Sequence, residues 1–553
     1  MTSVPCRDQK PPKRARRFSY SRHLKTILTS PVAVKISLAV AVLVFAYALV
    51  AGVAVRLAGP ILLKHDNAFF LPIALAVQEK LGLLNPWFHP YDTPVGPGIL
   101  DWHGIIHPLI LGVIAPADGW TGINAAVVIL SLLGMILYLG LIWRSKAPIF
   151  LKAICSGPIP ALFMGFGGRP ESTAALILGL IVLVNWNARN GESLRLGRVI
   201  ASGVLLGLLG LAHPLAAVFS AAAYSLFIAL HAGNKCLPPA RYVFLIGAAA
   251  ITSVASFGLF LVMLYPYETA VWLNGMLEAS SIAADRSGSD HFLRYFVKTK
   301  HTPFLILTFI PFAYLLYLAG ERAWKGFPLF YILAIFSLIG FLVLFVFRFP
   351  IAVPATYYNY TVLLPLLLVV FCRLRSACLW RPEGVISILC LSMFLFACTF
   401  GQAVWAYQTV AGTQIRKEQA ARINALVESY AGRELRIAVD SPLIVAIKDD
   451  ELAKSVDMLF FGRKDKDGNK ANPSPSLFDI MIRAQSEFRK PGSVPGYTLI
   501  RNEFTKGYGA LSFSKPEHLG FAVYRSNRWA GSPKTAPRRD PTQDMNGTAQ
   551  QQP

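Results

Sequence analysis

Four short stretches of this chain set ionisable side chains against long apolar runs. Lys64, His65, Asp66 and Asn67 follow the first apolar stretch, and Gly167-Gly168-Arg169-Pro170-Glu171 fills a turn between two others. His213-Pro214 interrupts a further apolar run, and Arg348 ends one, just ahead of Tyr357, Tyr358 and Tyr360. A carboxylate in such a setting can take a proton from a hydroxyl. Arginine offers a planar fork of donors that grips a phosphate or carboxylate bidentately. Together these residue types suit a group transfer in which a base activates an acceptor while cations neutralise a departing anion. Each stretch also has a plainer use. Asp66 suits the N-cap of a helix beginning near Ala68. Arg169 and Glu171 can pair with each other, which at an exposed site is worth about 1 kcal/mol or less. His65 fits an ordinary surface and His213 an ordinary core. Arg348 can snorkel to an interface belted by the three tyrosines.

The elements that must position these residues are membrane spans. Of 553 residues, 54% are hydrophobic and 15% charged, more apolar surface than a single soluble core can hide. A crossing helix needs roughly 20 apolar residues. About eleven stretches meet or approach this, at residues 34–56, 122–143, 148–166, 171–187, 197–213, 214–231, 242–264, 302–320, 327–347, 357–373 and 384–405. The net charge of +23 lies mostly in tails and short loops flanking these stretches, as cytoplasmic anchoring requires, which argues against nucleic acid as a partner. The tail before the first span carries Arg7, Lys10, Lys13, Arg14, Arg16, Arg17, Arg22 and Lys25 against Asp8. It is therefore expected to stay in the cytoplasm, with Arg144/Lys146, Arg189/Arg195/Arg198, Lys235/Arg241, Arg322/Lys325 and Arg373/Arg375/Arg381 on the same side. The four chemical stretches then fall on the outer face. The first apolar stretch lacks a small-residue cleavage site and reads as an anchor rather than a signal peptide. Cys6, Cys236, Cys372 and Cys378 fall on the cytoplasmic side and Cys155, Cys390 and Cys398 within spans, so no outer disulfide and no Cys-based metal site is expected.

The first outer loop is long. Residues 68–84 form an amphipathic piece suited to a helix lying in the membrane interface, and residues 104–116 form a second apolar piece too short to cross. Between them a Pro-, Gly- and aromatic-rich segment carries Asp92, Asp101 and His103. The loop at 265–302 is of mixed charge, and its basic end, Lys298 and Lys300, could meet a phosphate, with Ser287-Gly288-Ser289 giving it room to move. From about residue 407 the composition changes. Ile423, Leu426, Val427 and Tyr430 recur at helical spacing. ELRIAVDSPLIVAIK reads as strand-turn-strand, SLFDIMIRAQSEF as a helix, and GYTLIRN and LGFAVYR as strands. The domain organisation expected is a basic tail at 1–28, a transmembrane domain at 29–406, a small extracytoplasmic α/β domain at 407–529 and a disordered tail at 530–553. No internal repeat, nucleotide-binding loop, HExxH or GxSxG motif stands in a convincing setting.

The span layout, the acidic LLKHDNAFF stretch after the first span and the two short pieces that follow resemble the GT-C superfamily of membrane glycosyltransferases, over roughly residues 30–405. The resemblance implies an all-α polytopic fold and an enzyme, of inverting type, that moves sugar from a polyprenyl-phosphate carrier on the outer face of a bacterial plasma membrane. The acceptor would be a glycan, lipid or protein. It implies Asp66 as general base. Arg348, with Arg169, Lys298 and Lys300, would stand at the donor phosphate, and Glu171, His213, His65 and Tyr358 at the sugar or acceptor. Two carboxylates sharing a hard cation would bring in Mg²⁺ or Mn²⁺, with Asp66, Asp92 and Asp101 as candidates. Many members carry two adjacent acids where this chain has Asp66-Asn67, which keeps a non-catalytic scaffold of the same layout as an alternative. A multi-span transporter or lipid flippase is another, though neither an inverted repeat nor charged, broken helices at mid-membrane are evident.

Overall fold

The computed structural model describes residues 25–57, 67–80, 105–166, 168–186, 194–233, 239–264, 310–318, 364–374, 376–411, 413–431, 435–440, 456–459, 478–485, 493–505 and 519–529, with positions 362, 433 and 443 between them. Helix α1 spans Pro31–Leu57 and α2 Asn67–Gln78; then come α3 Ile106–Ile114, α4 Gly119–Arg144, α5 Ile149–Ser156 and α6 Ile159–Phe166. Helices α7 Pro170–Val184, α8 Leu196–Ala212, α9 Pro214–Gly233 and α10 Pro239–Leu264 follow, and later α11 Leu364–Arg373, α12 Pro382–Ala411 and α13 Thr413–Ala431. Among the described residues four helices, within α1, α4, α10 and α12, are long and apolar enough to cross a membrane, and α7, α8 and α11 are shorter apolar helices. Their outward faces are apolar: Val40, Leu43 and Val50 on α1, Val243, Ile251 and Val254 on α10, and Leu389, Met393 and Phe396 on α12 are all exposed. Water would not tolerate such continuous bands, and lipid does. The chain is an integral, multi-pass membrane protein.

Local chemistry explains the breaks. The apolar run 148–166, expected as one span, is divided by Gly157-Pro158 into α5 and α6, because proline has no amide to donate to the preceding turn. The run through His213 is likewise divided. Pro214 sits at the first position of α9, where its missing N–H and fixed φ suit a helix start. Glycine lets α8 lie close to α10. A Cβ at Gly203 would stand 2.7 Å from the Ala249 carbonyl oxygen, and one at Gly207 2.5 Å from that of Ser253. Gly112 does the same for α3 against α2, where a Cβ would lie 2.6 Å from the Ala74 carbonyl oxygen. The two short pieces expected in the first loop are thus α2 and α3, paired with each other. Instead of keeping a free face, α2 is buried at every position from Leu71 to Ala76.

The C-terminal part is a five-stranded sheet of order β2-β1-β3-β5-β4, with β1 Ile437–Asp440, β2 Val456–Leu459, β3 Ile480–Gln485, β4 Tyr497–Thr505 and β5 Leu519–Ser526. Strands β2, β1 and β3 run parallel, while β5 lies antiparallel to both β3 and β4. Helix α13 packs on the sheet with Ile423, Leu426 and Val427, as its spacing required. SLFDIMIRAQSEF, expected as a helix, contains β3 instead. The strand is central, so Ile480, Met481 and Ile482 are buried on both faces. Burial on both faces yields a continuous apolar run without the alternation that marks a half-exposed strand. The same core continues into Leu71, Ala74 and Leu75 of α2, Leu111 of α3 and Ile123, Val127 and Leu130 of α4, which fastens the domain to the helices of the first loop.

Candidate active site

A buried polar cluster forms where α8 ends and α3, α7 and α9 begin. The turn after α6 is short. Arg169 caps α7 in an extended conformation, Pro170 takes its first position and Glu171 falls in its first turn, where a negative charge faces the positive end of the helix dipole. Arg169 Nε donates to Glu171 Oε2 at 3.2 Å and Nη2 to Oε1 at 2.9 Å, a fork on both carboxylate oxygens. The Glu171 side chain is 1% exposed and that of Arg169 13%. The pairing therefore occurs, but not in the exposed setting that would make it nearly neutral. In low dielectric, removal of either partner would strand the other charge. Ser172 Oγ donates to the Arg169 carbonyl at 2.7 Å and fixes the turn from behind.

Two histidines close over this pair. His107, from α3, is fully buried, and its Nδ1 shares a 2.8 Å hydrogen bond with Thr173 Oγ1, one turn into α7. Its ring also bonds the backbone of Gly168 and lies within electrostatic reach of Glu171. His213, 1% exposed, sits in the joint between α8 and α9. Its own amide donates to Leu209 O at 2.7 Å and ends α8. Its Nδ1 accepts from the Ala216 amide at 3.3 Å, capping α9 and leaving the ring proton of the neutral form to Nε2. The ring interacts electrostatically with both Glu171 and Arg169. One cation, one carboxylate, two imidazoles and a hydroxyl thus converge from four helix ends. The set can bind an anion at its accessible edge and hold hydroxyls in place, with its charges fixed before any ligand arrives.

Of the residues singled out in the sequence, Arg169, Glu171 and His213 come together here. Asp66, His65, Asp92, Asp101, Lys298, Lys300, Arg348 and Tyr358 lie outside the described residues. The described neighbourhood of Asp66 is α2, which begins at Asn67. Glu171 faces Arg169 with both oxygens and clamps that guanidinium, the pairing the sequence offered beside a place at the sugar or acceptor. His107 was missed. The signal was present, since His107-Pro108 repeats the His213-Pro214 pair, but it lay inside an apolar piece read only for its length. Among the described residues no group of three His, Cys, Asp or Glu side chains could hold a metal ion.

No protein-family model matches the sequence, and no curated protein matches it. Solved structures do. The crystal structure of ArnT from Cupriavidus metallidurans bound to undecaprenyl phosphate shares 13% identity, covering 87% of this chain and 97% of that one, with a TM-score of 0.51. The apo oligosaccharyltransferase of Archaeoglobus fulgidus shares 15% identity over 80% of this chain and 69% of that one, with a TM-score of 0.42. At these identities the likeness to ArnT is one of fold. The chain has the fold of ArnT.

Proposed function

We propose that the protein is an inverting glycosyltransferase that moves a sugar from a polyprenyl-phosphate donor to an acceptor hydroxyl at the extracytoplasmic face. One observation carries the reading: sequence-distant polar groups, His107, Arg169 with Glu171, Thr173 and His213, converge in a buried cluster at the helix ends. This happens inside a fold shared along nearly its whole length with a protein crystallised with undecaprenyl phosphate. A cluster of this composition has no use in merely anchoring spans, because buried charge is costly and persists where it is needed.

In this reading Asp66 takes the proton from the acceptor hydroxyl, and the acceptor oxygen attacks the anomeric carbon from the face opposite the phosphate. The bond between that carbon and the phosphate oxygen breaks, and polyprenyl phosphate leaves with the electron pair. Negative charge grows on the phosphate, and Arg169, Arg348, Lys298 and Lys300 are the cations assigned to meet it. Glu171 keeps Arg169 aimed. His213, His65 and Tyr358 are assigned to the sugar and acceptor. A hard divalent cation, Mg²⁺ or Mn²⁺, would need oxygen ligands, for which Asp66, Asp92 and Asp101 are the candidates.

The test is sugar transfer by the purified full-length protein in lipid nanodiscs from a panel of polyprenyl-phosphate sugars, with a membrane extract supplying acceptors. Wild type, Asp66→Asn and Arg348→Ala are compared with and without EDTA. Transfer by wild type that disappears in Asp66→Asn, with normal folding, is the expected result. Absence of transfer from every donor, together with movement of a labelled lipid across proteoliposomes, would replace the enzyme with a flippase.

A further inference from the structure

A second cation is buried at the end of α1, and no acid stands against it among the described residues. Arg56 is 4% exposed although Leu57 beside it is 56% exposed, so the side chain turns inward instead of snorkelling to a surface. A guanidinium has five N–H donors. The bond found for this one is from Nη2 to the carbonyl oxygen of Met164 at 3.3 Å, and Nε is buried with no partner. Met164 lies in the last turn of α6, directly ahead of the Gly168-Arg169 turn. Arg56 therefore lines the same end of the bundle as the Arg169–Glu171 pair.

The two arginines solve burial differently. Arg169 has its counter-charge built in, through both oxygens of Glu171. Arg56 has only a neutral carbonyl, a long bond and the weakly negative end of its own helix dipole. A buried charge left in that state is costly unless a ligand completes it. We propose that Arg56 is an anion-binding residue whose missing partner is a phosphate, held through the guanidinium fork. The phosphate of a polyprenyl-phosphate donor is the occupant that the proposed function implies, and the inference rests on that reading for its source. The same chemistry would accept a free phosphate or a phospholipid headgroup.

Binding of undecaprenyl phosphate, inorganic phosphate and phosphatidylglycerol to the full-length protein in nanodiscs of neutral lipid decides the matter, with wild type, Arg56→Lys and Arg56→Met compared. Thermal unfolding of each ligand-free protein is recorded alongside. Undecaprenyl phosphate is expected to bind wild type and to lose affinity by about tenfold or more in Arg56→Met, with a smaller loss in Arg56→Lys, since an ammonium keeps the charge but not the fork. Ligand-free Arg56→Met should unfold at the wild-type temperature or above it, because an uncompensated buried charge has been removed. Arg56-dependent binding of inorganic phosphate or phosphatidylglycerol alone would support the anion site and assign it to that source. Wild-type affinity for all three anions in Arg56→Met would overturn the proposal, as would a ligand-free Arg56→Met of sharply lowered stability, which marks a structural arginine. Should Arg56→Met fail to fold, Arg56→Lys with unchanged affinity for all three overturns it equally. The transferase reading fails separately, through loss of all sugar transfer in wild type, and survives if Asp66→Asn abolishes transfer while Arg56→Met leaves binding intact.

Discussion

Two long apolar helices of this protein each carry an arginine in the last turn, and the two residues meet opposite fates. Arg56 closes α1 and is buried; Arg144 closes α4 and is exposed. The Arg144 guanidinium lies 5.8 Å from the centroid of Trp186, over whose ring Arg373 also sits at 4.2 Å. Nearby, Lys152 donates to the Trp143 carbonyl at 3.0 Å and lies 5.7 Å from that ring. At this end of the bundle, cations rest on aromatic faces at the boundary, as anchors do. At the other end, Arg56, Arg169, Glu171, His107 and His213 are drawn inside and fixed by carboxylate, carbonyl, hydroxyl or amide. A charged residue at a membrane edge thus has two uses, and burial together with partner type separates them.

The largest effect should come from the buried pair. Glu171→Leu removes the partner of Arg169 and leaves a guanidinium stranded, a loss of about 3 to 5 kcal/mol for a buried pair broken on one side. Thermal unfolding in detergent should fall steeply. The double variant Arg169→Met/Glu171→Leu should recover much of the loss, because it strands no charge. If the single and double variants were equally destabilised, the pair would be a packing feature and the two ends would differ less than their burial suggests.

Next in size is Gly203→Leu, which drives a side chain into the α10 backbone at Ala249 and costs about 1 to 3 kcal/mol as overpacking. Helix α8 ends at His213, so the shift should also weaken donor binding. Gly247→Ala, which meets nothing within 4 Å, should leave both stability and binding unchanged. A smaller effect is expected from Thr173→Val. It leaves a buried His107 nitrogen without its 2.8 Å hydrogen bond, which typically costs about 1 to 2 kcal/mol. A two-dimensional spectrum of labelled histidines should show the His107 ring resonances moving while those of His213 move less.

How much of this was legible beforehand follows from what each signal measures. Hydropathy located the four long apolar helices α1, α4, α10 and α12, because span length is set by bilayer thickness and survives any packing arrangement. Arg169, Glu171 and His213 were legible because charge and proline at an apolar boundary are locally improbable. Residues buried for tertiary reasons were not. His107 looks like a chance polar residue in an apolar piece, and Arg56 reads as one more basic residue at the end of an apolar run. The strand at Ile480–Gln485 was lost for a related reason, since burial on both faces erases the period that would have revealed it. In each case the missing information is what packs alongside, which the chain does not write locally.

The smallest prediction tests the comparison most directly. Arg144→Gln removes the same charge from the last turn of a long helix as a change at Arg56 would, but at the opposite end of the bundle. Its cation–π contact joins an exposed guanidinium to the buried Trp186 ring at 5.8 Å and is worth about 0.5 to 1 kcal/mol, and Arg373 remains over the same ring. Stability should drop by no more than that amount, and affinity for undecaprenyl phosphate should stay at the wild-type value. With the loop after α4 on the cytoplasmic side, as the charge pattern of the sequence leads one to expect, the charge would still count during insertion. The measurable trace should therefore be a lower yield of correctly inserted protein rather than a weaker site. A loss of anion affinity in Arg144→Gln as large as that in Arg56→Met would show that both arginines act through the overall positive field of the protein. Burial would then have no bearing on which cation holds the ligand.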